Sequence, residues 1–245
     1  MWPLPRQNCG PEASVALIGH DPAARGVLRR ATTTIRVDER MVLRPASSEF
    51  HSDLVEAFEE TWPEVSRAMS WIHPDLPFDT QMEDFLAETE RMGRSGLLHH
   101  WVMVRPWDGA LLGLIGFDQV TRSGKAVWNL GYWVRSSEQQ HGFARRAIDA
   151  SLRWLGEAEK SSVELKVDPH NPAGRSTVMR TVREWKGERC VDGDSAIPVA
   201  GVRTPRECHV VSIGPGVGPE EGTNSVRPIE KTPLDPNSAP VGQVV

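Results

Sequence analysis

The sequence predicts a mixed α/β fold, a central and mostly antiparallel sheet flanked by helices. Three observations predict it. Apolar, β-rich runs at 101–104, 111–117 and 127–134 are separated by turn residues, the pattern of an antiparallel meander. Two stretches with helical periodicity precede the meander. After it, a helical stretch at 142–155 leads into an alternating strand at 163–167, which makes a strand–helix–strand crossover.

The elements follow in order. Residues 37–43 read as a first strand, closed by Pro45. Ser47 or Ser48 can cap a helix with Phe50, Leu54, Ala57 and Phe58 on one face. Thr80-Gln81-Met82-Glu83 has the form of a capping box. Phe85, Leu86 and Met92 continue it at helical spacing, and Gly93 reads as the stop. Pro106, Asp108-Gly109 and Ser123-Gly124 supply the turns of the meander. Ala144, Ala147, Ile148, Leu152 and Leu155 form the buried stripe of the next helix, with Gly156 as its end. Val163, Leu165 and Val167 alternate with Glu164, Lys166 and Asp168, a half-buried strand. This strand and the last strand of the meander are expected to be parallel or splayed neighbours. Pro172 can open another helix as its first residue, and 207–213 reads as a closing strand.

The folded unit is thus expected over 36–213. Residues 1–35 mix Pro, Gly, Ala and Arg without a sustained period, and read as a flexible extension. Residues 214–245 are rich in Pro and Gly with few large apolar groups, the composition of a disordered tail. The Gly214-Pro215-Gly216-Val217-Gly218 run lacks the strand-to-helix context of a dinucleotide loop and is assigned to that tail.

Composition narrows the function classes. The 245 residues carry 28 Lys and Arg against 33 Asp and Glu, a net charge of -5, which disfavours nucleic acid as a partner. No apolar run approaches the ~18 residues of a membrane helix, and the one at 15–18 is too short for a signal-peptide core. Cys9, Cys190 and Cys208 form no Cys-x-x-Cys pair, so neither a disulfide framework nor a metal site is expected. A reducing cytoplasm is the default location.

The stretch that carries chemistry joins the strand ending at Val134 to the helix starting near Gly142. It reads Gly131-Tyr132-Trp133-Val134-Arg135-Ser136-Ser137-Glu138-Gln139-Gln140-His141-Gly142-Phe143-Ala144-Arg145-Arg146. A loop of this kind opening a helix leaves unpaired N–H groups at the positive end of the helix dipole, an anion site. Gly142 permits close approach or a positive φ, Ala144 keeps the next turn small, and Arg145 and Arg146 add positive charge.

With Gln139-x-x-Gly142-x-Ala144, the Gly-Tyr-Trp-Val strand and the Val-Asp-Pro-His-Asn-Pro-Ala segment at 167–173, the chain resembles the GCN5-related N-acetyltransferases (GNAT). Within them it is similar to the RimJ/RimL-like branch that acetylates ribosomal-protein N-termini. The resemblance spans 38–213. It implies acetyl-CoA as donor. Tyr132, Trp133 and Val134 would pair with pantetheine through main-chain groups. Gln139, Gln140, His141, Gly142, Phe143, Ala144 and Arg145 would hold the pyrophosphate, and Asn171 would contact the pantetheine arm. It also implies an amine acceptor, foremost a protein N-terminus, and a monomer or homodimer. A small-molecule amine acceptor and a non-catalytic acyl-CoA-binding module are the alternatives.

The chain departs from the branch pattern where proton chemistry is expected. The strand often reads Glu-Ile-Gly-Tyr-Trp, its Glu serving as general base, and here the first two positions are Asn129 and Leu130. A Ser that follows Asn-x-Ala in the branch is replaced by Gly174, and the usual Gly-Phe after the last helix by Trp185-Lys186-Gly187. Acetyl transfer needs a neutral amine and a proton for the leaving thiolate. Tyr132, Asn129 and His100 are the expected catalytic residues. His99, Asp118 and His73 are further groups placed to face the acceptor.

Overall fold

The computed structural model describes residues 30–65, 72, 76–122, 124–199 and 202–219. The strands are β1 (Ile35–Asp38), β2 (Met41–Pro45), β3 (Leu98–Val104), β4 (Leu111–Arg122), β5 (Lys125–Val134), β6 (Ser161–Val167), β7 (Glu188–Arg189), β8 (Ser195–Val199) and β9 (Val202–Ile213). The helices are α1 (His51–Val65), α2 (Phe78–Arg94), α3 (Phe143–Ala158) and α4 (Pro172–Glu184). The sheet runs β1-β2-β3-β4-β5-β6-β9-β7, with β8 paired to β9 off that path. Its ladders are antiparallel except β5–β6, which is parallel. This is the mixed sheet that the meander and the crossover predicted.

Helices cover both faces of the sheet, so its middle strands bury both sides. All seven residues of β3 are buried. On one face α1 and α2 pack Leu54, Phe58, Met82 and Leu86 against Val102, Leu114 and Trp133. On the other, α3 and α4 pack Ile148, Leu152, Val178 and Val182 against Trp101, Ile115, Leu130 and Leu165. Alternation along β5 therefore sends Trp128, Leu130, Tyr132 and Val134 to the α3/α4 face and Asn129 and Trp133 to the α1/α2 face.

Several elements differ from the sequence expectation. The stretch expected as one strand at 37–43 is a hairpin, because Glu39-Arg40 turns and the Arg40 amide bonds Asp38 Oδ1 at 2.7 Å. Thr80 lies inside α2, which starts at Phe78 behind Pro77, so the capping-box reading fails. The helix runs past Gly93 to Arg94, and Gly96 takes the positive φ of 67°. Gly156 is internal to α3: a Cβ there would stand 3.0 Å from the Gly214 amide nitrogen, so its role is close approach to the chain after β9. The β7 and β8 strands went unseen, being two and five residues long.

Described contacts reach past both expected boundaries of the folded unit. Thr32 bonds Gly93 O and His99 Nδ1, at 3.0 and 2.8 Å, and the Arg30 guanidinium lies 4.2 Å from the centre of the Trp154 ring. At the other end Arg153 Nη2 donates to Pro219 O at 3.2 Å. The expectations for 1–29 and 220–245 lie outside the described residues. No described helix is long and apolar enough to cross a membrane.

Candidate active site

A gap between β5 and β6 forms the first half of the site. Their pairing consists of Trp128↔Val163, Asn129↔Glu164 and Leu130↔Leu165. Beyond it β5 stays on β4 to Val134, while β6 follows β9 to Val167. The β6-facing backbone edge of residues 131–134 therefore has no strand partner among the described residues. It presents N–H and C=O groups that an amide-bearing ligand can complete.

The turn into α3 forms the second half. Gly142 is the N-cap residue at φ +75°, with no side-chain cap, and Gln140 also has a positive φ of 63°. Among the described residues the amides of 140–145 donate to no acceptor. Left-handed residues within such a turn let successive N–H groups converge into an anion-binding nest, and the helix dipole adds to it. Arg145 is exposed beside it; Arg146 pairs with Asp38 and lies over the Phe143 ring, as does Arg40.

Helix α1 holds this turn in place. The Ser136 amide donates to Thr61 Oγ1 at 3.1 Å and the Ser137 amide to Glu60 Oε1 at 2.8 Å. Arg135 bridges Glu56 and Glu60. Burial pushes the Glu60 carboxyl up, but the Ser137 amide and Arg135 outweigh it and hold the carboxyl below its ordinary value. The sequence reading missed this anchoring, because it needs contacts more than 70 residues apart.

A family model for the acetyltransferase (GNAT) domain matches residues 40–181, more than half of the chain. The chain belongs to the GNAT acetyltransferase family. A search of curated protein sequences returned no match. Solved structures show the same fold at low identity. RimL, a ribosomal alpha-N-protein acetyltransferase in complex with coenzyme A, is 14% identical at a TM-score of 0.62, over 74% of this chain and 98% of its own. The microcin self-immunity acetyltransferase MccE, in complex with acetyl-CoA and AMP, is 15% identical at 0.62, over 76% and 99%. A ribosomal-protein-alanine acetyltransferase from Vibrio fischeri is 14% identical at 0.60, over 76% and 100%.

Within this GNAT domain the residues expected at the donor site fall on distinct elements. Residues 132–134 lie on the open edge, 139–142 in the turn and 143–145 at the start of α3. Gln139 Nε2 donates to Val134 O at 3.2 Å, joining the two halves. His141 is exposed with Nδ1 3.3 Å from Glu138 O. The side chains of Trp133 and Phe143 are buried in opposite cores, so these two residues can serve a ligand through their backbones. Asn171 is the N-cap of α4, its Oδ1 accepting from the Gly174 amide at 2.9 Å.

The three expected catalytic residues are not brought together. Tyr132 is half-buried on the α3/α4 face and bonds Thr177; burial pushes its phenol up. Asn129 and His100 lie on the other face, 2% and 1% exposed. His99 packs among Trp101, Trp128 and Trp154, away from the α1/α2 side. His73 lies outside the described residues. Burial pushes the Cys208 thiol up to about 12, which keeps it protonated and chemically quiet. His51, Asp79 and Glu83 bring donor atoms within 4.8 Å of one another, but both carboxylates are exposed and His51 Nε2 is 3.2 Å from Asp79 O.

Proposed function

We propose that this acetyltransferase takes its acetyl group from acetyl-CoA and delivers it to a primary amine, foremost the α-amine of a protein N-terminus. The observation that carries the reading is the continuity of the open β5 edge with the amide nest at 140–145. An arm with amides fits the edge, and a diphosphate fits the nest. When bound, acetyl-CoA supplies the activated thioester. Residues 131–134 hold and orient it through the backbone. The amides of 140–145 and Arg145 neutralise its phosphates. Burial keeps the Tyr132 phenol protonated at physiological pH.

The acceptor reading rests on the named activities of RimL and the Vibrio fischeri enzyme. A peptide α-amine has a pKa of about 7.7–8.0, against about 10.4 for an alkyl amine. The α-amine is therefore the acceptor that sheds its proton more easily. Release of CoA thiol, followed over peptides with Ala, Ser and Met at the first position and over polyamines, tests this. The peptides are expected to turn over fastest. Tight acetyl-CoA binding with no turnover on any amine would reduce the chain to an acyl-CoA-binding module.

A further inference from the structure

The carboxylate absent from β5 has a counterpart one strand away. In the β4–β5 ladder Asp118 lies directly opposite Asn129, and directly opposite residues in an antiparallel pair share a face. That face is the α1/α2 face, two residues before the open edge begins at Gly131. One strand further out, Glu164 lies opposite Asn129 from the β6 side. Two buried carboxylates therefore flank position 129.

Their partners separate them. Glu164 takes Arg122 at 2.9 and 3.0 Å and Lys166 at 3.1 Å. Burial pushes it up, yet the two cations hold it below its ordinary value. Its charge is spent. Asp118 is 5% exposed, and Oδ1 lies 3.2 Å from His100 Nε2 without the alignment of a full hydrogen bond. His100 Nδ1 is 3.0 Å from Thr89 Oγ1, and its ring stacks on Phe85, so α2 fixes the imidazole behind the carboxylate. Gly116 leaves the room that the imidazole fills, since a Cβ there would overlap it. Asn129 Oδ1 is buried with no hydrogen-bond partner among the described residues. A buried acceptor in that state is costly, and an ammonium between Asp118 and Asn129 would give both groups a donor.

We propose that Asp118 is the group that binds the incoming ammonium and takes its proton, with Asn129 as a second acceptor and His100 as the positioning residue. This rests on the acetyltransferase reading above. The proton count closes. Asp118 takes one proton from the ammonium, and the neutral nitrogen bonds the acetyl carbonyl carbon. The carbon–sulfur bond breaks, a second nitrogen proton leaves with sulfur as the thiol, and Asp118 returns its proton to solvent.

The test uses the full chain and the best peptide acceptor of the panel. Asp118→Asn is expected to lower kcat at least a hundredfold while acetyl-CoA affinity stays within threefold. Asp118→Asn combined with Asn129→Asp, which puts a carboxylate back on β5, is expected to regain at least tenfold over Asp118→Asn alone. His100→Gln, which keeps a polar end toward Asp118, should keep a third or more of kcat, and His100→Phe should lose most of it. Calorimetry adds a readout independent of turnover. The wild type should bind the free-amine peptide more tightly than its N-acetylated form, and Asp118→Asn should erase that preference. Where Asp118→Asn folds poorly, Asp118→Ser is read the same way. Wild-type turnover with unchanged kcat in the Asp118 variant overturns this proposal alone. Absence of turnover on every amine in the wild type overturns both readings.

Discussion

Gly142 holds φ at +75° with nothing within 4 Å of where a Cβ would stand, so a side chain there meets strain but no clash. A left-handed non-glycine residue costs about 1–2 kcal/mol, and each kcal/mol lowers Tm by about 2–4 °C in a chain of this size. Gly142→Ala and Gly142→Glu should lower Tm alike. Only the Glu places a negative charge in the amide nest, and it should raise the acetyl-CoA Kd at least tenfold, about 1.4 kcal/mol. Equal affinities for the two variants by calorimetry would remove the phosphate role from this turn. Glu164 gives a stability prediction on the other side of the site. Glu164→Gln leaves Arg122 and Lys166 facing a neutral amide. Breaking a fully buried pair costs about 3–5 kcal/mol, but Arg122 is 35% exposed, so solvent screening brings the loss to about 2 kcal/mol. The folded Glu164 carboxyl sits below its ordinary 4.5. Its stabilisation is therefore complete above pH 4.5 and fades as pH falls through the lower folded value. Melting curves of the two proteins should differ most at neutral pH and converge in acid; a gap that widens in acid would contradict the assignment.

Gly156 on α3 shows how an element boundary can mislead. Read in sequence it is a helix stop; in the fold it sits in the last turns of α3, against Gly214 and Ile213. Gly156→Val should cost about 2 kcal/mol through overpacking, which calorimetric melting would register as a fall of about 4–8 °C. A rise in Tm would mean that helix propensity outweighs the contact. The same contrast explains what was legible before any coordinates. The βαβ unit and the meander carry strong periodicity at 98–167, and Pro172 marks the start of α4, so these elements were readable. The two strands expected as parallel or splayed neighbours pair in parallel as far as Leu130 and separate beyond it. The hairpin of β1 and β2, the start of α2 at Phe78 and the short β7 depend on long-range partners and leave little local signal. So does the placement of Asp118 against Asn129, which only the β4–β5 register shows. Tyr132 lies on the strand that the sequence reading expects beside the thioester, but only the alternation of β5 shows that it faces α4.

On the scale of the molecule, the segments flanking the sheet decide how much of the chain the fold needs. Arg30, Thr32 and Thr33 close over α3 and β3, where Trp101 Nε1 and Trp154 Nε1 both donate to Thr33, at 2.8 and 3.1 Å. At the other end, Gly214 is buried, the Val217 amide bonds Gly214 O at 2.9 Å, and Pro219 O accepts from Arg153. A Cβ on Gly218 would stand 3.7 Å from the Trp185 ring, which is itself 5% exposed. Removing 214–245 uncovers part of that ring and strips Arg153 of its carbonyl. Lost apolar cover and one charge-assisted bond together cost about 2 kcal/mol. Removing 220–245 touches none of these contacts, and its sequence is Pro-rich with few large apolar groups. Truncation after Ile213 should therefore lower Tm by about 4–8 °C. Truncation after Pro219 should leave Tm within about 1 °C and acetyl-CoA affinity unchanged. A fall of several degrees in the second truncation would show that residues beyond 219 pack on the domain.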